Sequence, residues 1–226
     1  MRTLIGVALM VISLSAMGAA PKASAPASPQ TEFQQQMELA LKGDAAAQLV
    51  VGLSYDIGSR GQSINKKEAV KWYRLSAEQG NANAQLFLGG MYDEGRGVTQ
   101  DYKEAVKWYR LAAEQGDAVA QYGLGVGYAK GQGVLQDYKE AVKWVRLAAE
   151  QGNAEAQFSL GTMYGNGQGV LQDNVYAHMW SNIGASNGNE LAAKNRDLYA
   201  AKMTPSQLEK AQDLARACVA KNYKGC

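Results

Sequence analysis

Three thirteen-residue stretches nearly coincide: EAVKWYRLSAEQG at 68–80, EAVKWYRLAAEQG at 104–116 and EAVKWVRLAAEQG at 140–152. They belong to a longer period. Trp72, Trp108, Trp144 and Trp180 are each 36 residues apart, as are Gly80, Gly116, Gly152 and Gly188. Tyr55, Tyr92, Tyr128 and Tyr164 are spaced by 37, 36 and 36, the extra residue lying within GSRGQSIN of the first copy. A fixed period of this length marks one supersecondary unit, repeated so that neighbours bury each other's apolar surface. The spacing predicts four repeats over residues 43–187, divided as 43–79, 80–115, 116–151 and 152–187.

The second copy shows the unit. Asn81 is a good helix N-cap, and Asp44, Asp117 and Asn153 hold that place elsewhere. A first helix, A, is expected to run to about Glu94, where Gly95-Arg96-Gly97-Val98 breaks it. Asp101 and Glu104 then have capping-box spacing, repeated by Asp137 with Glu140 and by Asn65 with Glu68. A second helix, B, follows from Tyr102 to Gln115, and Gly116 ends it. Each repeat therefore reads as helix–turn–helix, and the chain as all-α.

On a helical wheel, the charged residues Lys103, Lys107, Arg110 and Glu114 of helix B fall in a stripe only about 60° wide. Most of the rest is apolar, so both flanks must be contacted. The stripe reads as a solvated outer face, with Arg110 and Glu114 an i,i+4 pair. On helix A, the residues shared by all repeats (Ala84, Gln85, Gly89, Tyr92) fall on one arc, which is the packing face. Gly52, Gly89, Gly125 and Gly161 there would admit a close partner helix. The residues that change fall on the opposite arc, with Leu49, Leu86, Tyr122 and Phe158 at one equivalent position and Phe87, Val126 and Thr162 nearby. These seven are the candidate partner-binding residues.

Ala84, Leu88, Gly89, Tyr92, Gly95, Gly97, Val98, Asp101, Ala105, Trp108, Ala112, Ala113 and Gly116 together resemble the Sel-one-like repeat, a branch of the tetratricopeptide-like α-solenoids. The resemblance implies a right-handed α/α superhelix whose A helices line the concave face. It also implies a non-catalytic scaffold for a protein or peptide partner, of a kind that bacteria commonly export. A few cysteine-rich relatives are linked to penicillin binding or β-lactamase activity, but they carry a Cys pair in each repeat. Here no Cys lies within the repeats.

The ends differ from the repeats. Met1-Arg2, an uncharged apolar stretch to Ala20, and small residues at Gly18 to Ala20 have the layout of a signal peptide over 1–20. Its apolar core, Leu4 to Met17, is short for a span, which needs about 20 residues. No stable membrane anchor is expected after cleavage, and the destination is periplasmic or secreted. Residues 21–30 read as a tether and 31–42 as an N-terminal capping helix. Residues 188–226 read as C-terminal capping helices: Glu190 to Lys202, then a helix opened by Thr204-Pro205-Ser206-Gln207. Cys218 and Cys226, the only cysteines, are expected to form a disulfide in an oxidising compartment.

In the fourth repeat the outward stripe becomes Val175, Met179, Asn182 and Ser186. Either the C-terminal helices cover it or it is an exposed patch for a partner. His178, the only histidine, stands where the other repeats have Val70, Val106 and Val142, and reads as a hydrogen-bonded core residue.

Little else points to chemistry. The charge is balanced, 23 Lys and Arg against 21 Asp and Glu, which argues against a nucleic-acid surface. No metal, dinucleotide or P-loop motif occurs, so no cofactor, metal site or catalytic residue is expected. The runner-up reading is a cell-wall-related or β-lactamase-like hydrolase. Ser63 and Lys66 match its S-x-x-K motif, without the companion S-D-N or K-T-G.

Overall fold

The computed structural model describes residues 28–226; the signal-peptide reading of 1–20 and most of the tether lie outside them. Among the described residues there are eleven helices and no strand. In order they are α1 (Pro29–Leu41), α2 (Ala45–Ile57), α3 (Lys66–Glu78), α4 (Ala82–Glu94), α5 (Tyr102–Glu114), α6 (Ala118–Lys130), α7 (Tyr138–Ala149), α8 (Ala154–Asn166), α9 (Asn174–Ser186), α10 (Glu190–Ala200) and α11 (Pro205–Ala220). From α1 to α10 each helix packs on its sequence neighbours, as in a solenoid, while α11 skips α10 and packs on α9. The even-numbered helices α2 to α8 are the A helices and the odd-numbered α3 to α9 the B helices.

Caps set the boundaries. The side chains of Asp44, Asn81, Asp117 and Asn153 accept from the backbone three residues on. Helix B ends at the expected glycine: Gly116 has φ +97°, which a side chain would strain. Helix α1 starts at Pro29, inside the stretch read as tether, because Ser28 accepts from Thr31 N and Pro29 tolerates the first turn.

The expected capping boxes on the B helices do not close. Asp101 Oδ1 accepts from the backbone of Lys103 and Glu104, but Asp101 N–H donates to Tyr92 O at 3.0 Å. Asp137 N–H likewise donates to Tyr128 O, and Asn65 N–H to Tyr55 O. The amide that a glutamate would reach back to is already taken by helix A of the same repeat. Glu104 instead pairs with Lys107, and Glu68 with Lys71. A true box forms at Thr204 and Gln207, where no such carbonyl competes.

The interior is a run of clusters joined end to end. Phe33 and Ala40 of α1 pack on Ala47 and Val51 and close the N-terminal end. At the other end, Met179, Trp180 and Ile183 of α9 pack with Ala215 and Cys218 of α11. The cap thus covers Met179 of the fourth-repeat stripe, and Val175 is buried as well.

Candidate functional site

The polar residues that recur in every repeat hold the stack together. Gln85 is buried; its Nε2 donates to Ala77 O at 3.1 Å and its Oε1 accepts from Gln115 Nε2 at 2.8 Å. Gln48 pairs in the same way with Gln79, Gln121 with Gln151 and Gln157 with Asn187. A buried amide so satisfied ties helix A to the end of helix B in its own repeat and to the repeat before.

The B-helix arginines act between repeats. Arg110 donates to Tyr128 Oη at 2.8 Å with its guanidinium 5.6 Å from the ring centre, and Arg146 does the same to Tyr164 at 2.6 Å. Arg74 donates to Tyr92 Oη. The expected Arg110–Glu114 pair therefore gives way to an inter-repeat clamp. A tyrosine on the next helix offers both a hydroxyl and a π face, whereas Glu114 offers only an exposed charge pair.

Five of the seven candidate partner-binding residues lie together. A cavity of about 420 Å³ is lined by Leu86, Tyr122 and Val126, with Asp93, Tyr109 and Val119. One of about 260 Å³ is lined by Tyr122, Val126, Phe158 and Thr162. The two adjoin, with Tyr122, Val126 and Lys130 in the walls of both, and together they make a furrow across α4, α6 and α8. Tyr122 Oη and Ser159 Oγ, 3.3 Å apart, bridge its second half, and Asn195 of α10 donates to Thr162 Oγ1 at its end. Leu49 and Phe87 are not part of it. Leu49 packs into the cluster between α2 and α4, and Phe87 stacks on Tyr73 with ring centres 5.4 Å apart.

Two charges, Asp93 and Lys130, also line the furrow. Burial, reinforced by the neighbouring Glu94, holds the Asp93 carboxyl above its ordinary range; Lys130 opposes this. Tyr109 donates to Asp93 Oδ2 at 3.5 Å, and burial raises its phenol well above the usual value.

The S-x-x-K match builds no nucleophile. Lys66 Nζ is held by Asp56, at 2.6 Å from both its carboxylate and its carbonyl, while Ser63 is exposed. Among the described residues no His, Cys, Asp and Glu cluster could hold a metal, and no helix is long and apolar enough to cross a membrane. Cys218 and Cys226 are disulfide-bonded, with Cα atoms 5.6 Å apart.

Stacked helix–turn–helix units with an apolar furrow across their A helices define an α-solenoid of the tetratricopeptide-like class. The Sel1 repeat model matches residues 45–81, 82–117, 118–153 and 154–189, and the chain belongs to the Sel1 repeat family. It is similar to a protective antigen of uropathogenic Escherichia coli that displays an SLR fold, at 33% identity and TM-score 0.80, over 88% of this chain and 44% of that one. It thus spans less than half of the antigen. It is also similar to a Sel1 repeat protein from Oxalobacter formigenes, at 37% identity and TM-score 0.72, over 83% of this chain and 79% of the other. No curated protein matches.

Proposed function

We propose that this chain is an exported, non-catalytic scaffold that binds a protein or peptide partner in the furrow across α4, α6 and α8. Sel1 repeat proteins are generally interaction scaffolds, which supports the class of function. The observation that carries the specific reading is that the two cavities adjoin, sharing Tyr122 and Val126 in their walls. A furrow with half-buried aromatic side chains and one acid and one base at its wall suits an extended peptide carrying spaced apolar residues. The disulfide supports an oxidising destination, periplasmic or secreted.

The test is capture of partners from an envelope extract by the wild-type chain and by Tyr122→Ala and Phe158→Ala, each checked for folding by its helical spectrum. Loss of a wild-type partner by both variants supports the furrow. Capture unchanged in both removes it.

A further inference from the structure

A cavity larger than either part of the repeats' furrow lies outside it. It is bounded by α9, α10 and α11 and measures about 750 Å³, within the range of roughly 300–1,000 Å³ usual for small-molecule sites. Ile183, Ala200, Leu208, Ala215 and Val219 give it an apolar lining. Asn182 and Ser186, the part of the fourth-repeat stripe that the cap leaves uncovered, also face it.

Its polar groups point to an anion. His178 lines the cavity, is only 3% exposed, and its buried Nδ1 has no hydrogen-bond partner. A valine stands at this position in the other three repeats, so packing alone does not call for an imidazole. Arg196 and Arg216 line the same cavity against a single acid, Asp197. Arg196 Nε donates to Asp197 Oδ1 at 2.8 Å, and Arg216 donates to Asp213. Both pairs are exposed, worth little, and leave most of the five N–H donors of each guanidinium for a ligand.

We propose that this cavity binds a small amphipathic carboxylate, its acid group on Arg196 and Arg216 and its apolar part on Ile183, Leu208 and Ala215. The acid exchanges with Asp197 and Asp213 as partner of the arginines, and the His178 ring closes the inner wall. Two sources carry this chemistry, a free acid with a short alkyl chain and the C-terminal residue of an apolar peptide.

His178 is the only histidine, so in the tag-free, disulfide-bonded chain its ring Cε1–H gives one NMR signal that reports on this cavity. Titration uses decanoate, a short peptide ending in a free leucine, and decyltrimethylammonium. The His178 signal is expected to move saturably with at least one carboxylate and to stay fixed with the ammonium. The arm that binds more tightly identifies the source. Arg196→Gln, at a half-exposed position that leaves the fold intact, is expected to weaken binding by about tenfold or more, as loss of a charge-assisted hydrogen bond does. No movement with either carboxylate, equal movement with the ammonium, or unchanged affinity in Arg196→Gln would overturn the proposal.

Discussion

The phenol of Tyr199 occupies the space that a side chain at Gly165 would need: a Cβ placed there would lie 2.2 Å from Tyr199 Oη. The same position in the earlier repeats explains why. Asp56 and Asp93 stand there in the first two and accept from Tyr73 and Tyr109 of their own B helices. In the third, Ala129 and Val145 replace acid and phenol together; in the fourth, Gly165 and Ser181 are smaller still. The site has been emptied, and α10 inserts its tyrosine where the stack ends.

Gly165→Ala therefore sets two effects against each other. Helix propensity favours alanine by up to about 1 kcal/mol. The clash with Tyr199 costs about 1–3 kcal/mol of overpacking and should win. Tyr199→Ala alone should cost about 3 kcal/mol or more through the cavity it leaves. In the double variant the clash is absent, so its cost should fall short of the sum by the clash itself, about 1–3 kcal/mol. Urea unfolding of the four proteins measures this; strict additivity would show that the two residues do not share the space.

Gln85 is the clearest case of a buried polar group that must stay paired. Gln85→Leu leaves Gln115 and Ala77 O without their partner and should cost about 1–3 kcal/mol. Gln115→Ala is an exposed change that still orphans Gln85 Oε1, and should cost about 1 kcal/mol. Thermal melts of both variants test the order; a larger loss for Gln115→Ala than for Gln85→Leu would contradict the account.

These partnerships also show where sequence reasoning stops. The caps at Asn81, Asp101 and Thr204 were legible because a cap is local, set by residues within one turn. The glycine at 89 was legible as a close approach, and the structure supplies the partner: a Cβ there would lie 2.7 Å from the Tyr109 ring. Arg110 was misread because its partner, Tyr128, lies 18 residues away on the next repeat, while Glu114 is an ordinary helical neighbour. The reach of Glu104 was misread for a related reason, since the competing carbonyl of Tyr92 belongs to another helix. Leu86, Tyr122 and Phe158 share one repeat position and line the furrow, whereas Leu49, at the same position, packs into a core cluster. Phe87 lies outside the furrow, stacked on Tyr73, which the wheel cannot show.

His178 gives a pH dependence of definite sign. Burial, then the charge of Arg196, push its pKa below the ordinary 6.5, with Asp197 opposing. The folded chain thus favours the neutral ring more than the unfolded chain does. This contribution is fully present above pH 6.5 and is lost as pH falls below it through the folded value. His178→Val, which restores the residue of the other repeats, should flatten stability between about pH 7 and 5, where few carboxylates titrate. Denaturant midpoints for the two proteins across that range decide it; parallel curves would show that the ring is not held neutral by the fold.

The last prediction concerns the disulfide. Cys218 is buried in α11, and the chain beyond it turns through Asn222 and Tyr223, both at positive φ, before Cys226 returns to it. The turn places Tyr223 on the stack: its Oη donates to Asn187 Oδ1 at 3.2 Å, and Asn187 Nδ2 donates to Gln157 Oε1 at 2.8 Å. The bridge thus fixes a tail that completes the glutamine series in the fourth repeat. Closing so short a loop restricts the unfolded chain by about 2.5 kcal/mol. Left-handed backbone at two non-glycine residues draws on that gain, because each costs of order 1 kcal/mol. Reduction should therefore lower stability by about 0.5–2.5 kcal/mol and release the tail without melting the repeats. Melting with and without reductant gives the first quantity. Amide exchange, faster at 221–226 and unchanged in α4 to α7, gives the second, and exchange that rises throughout the solenoid would mean that the bridge supports the whole stack.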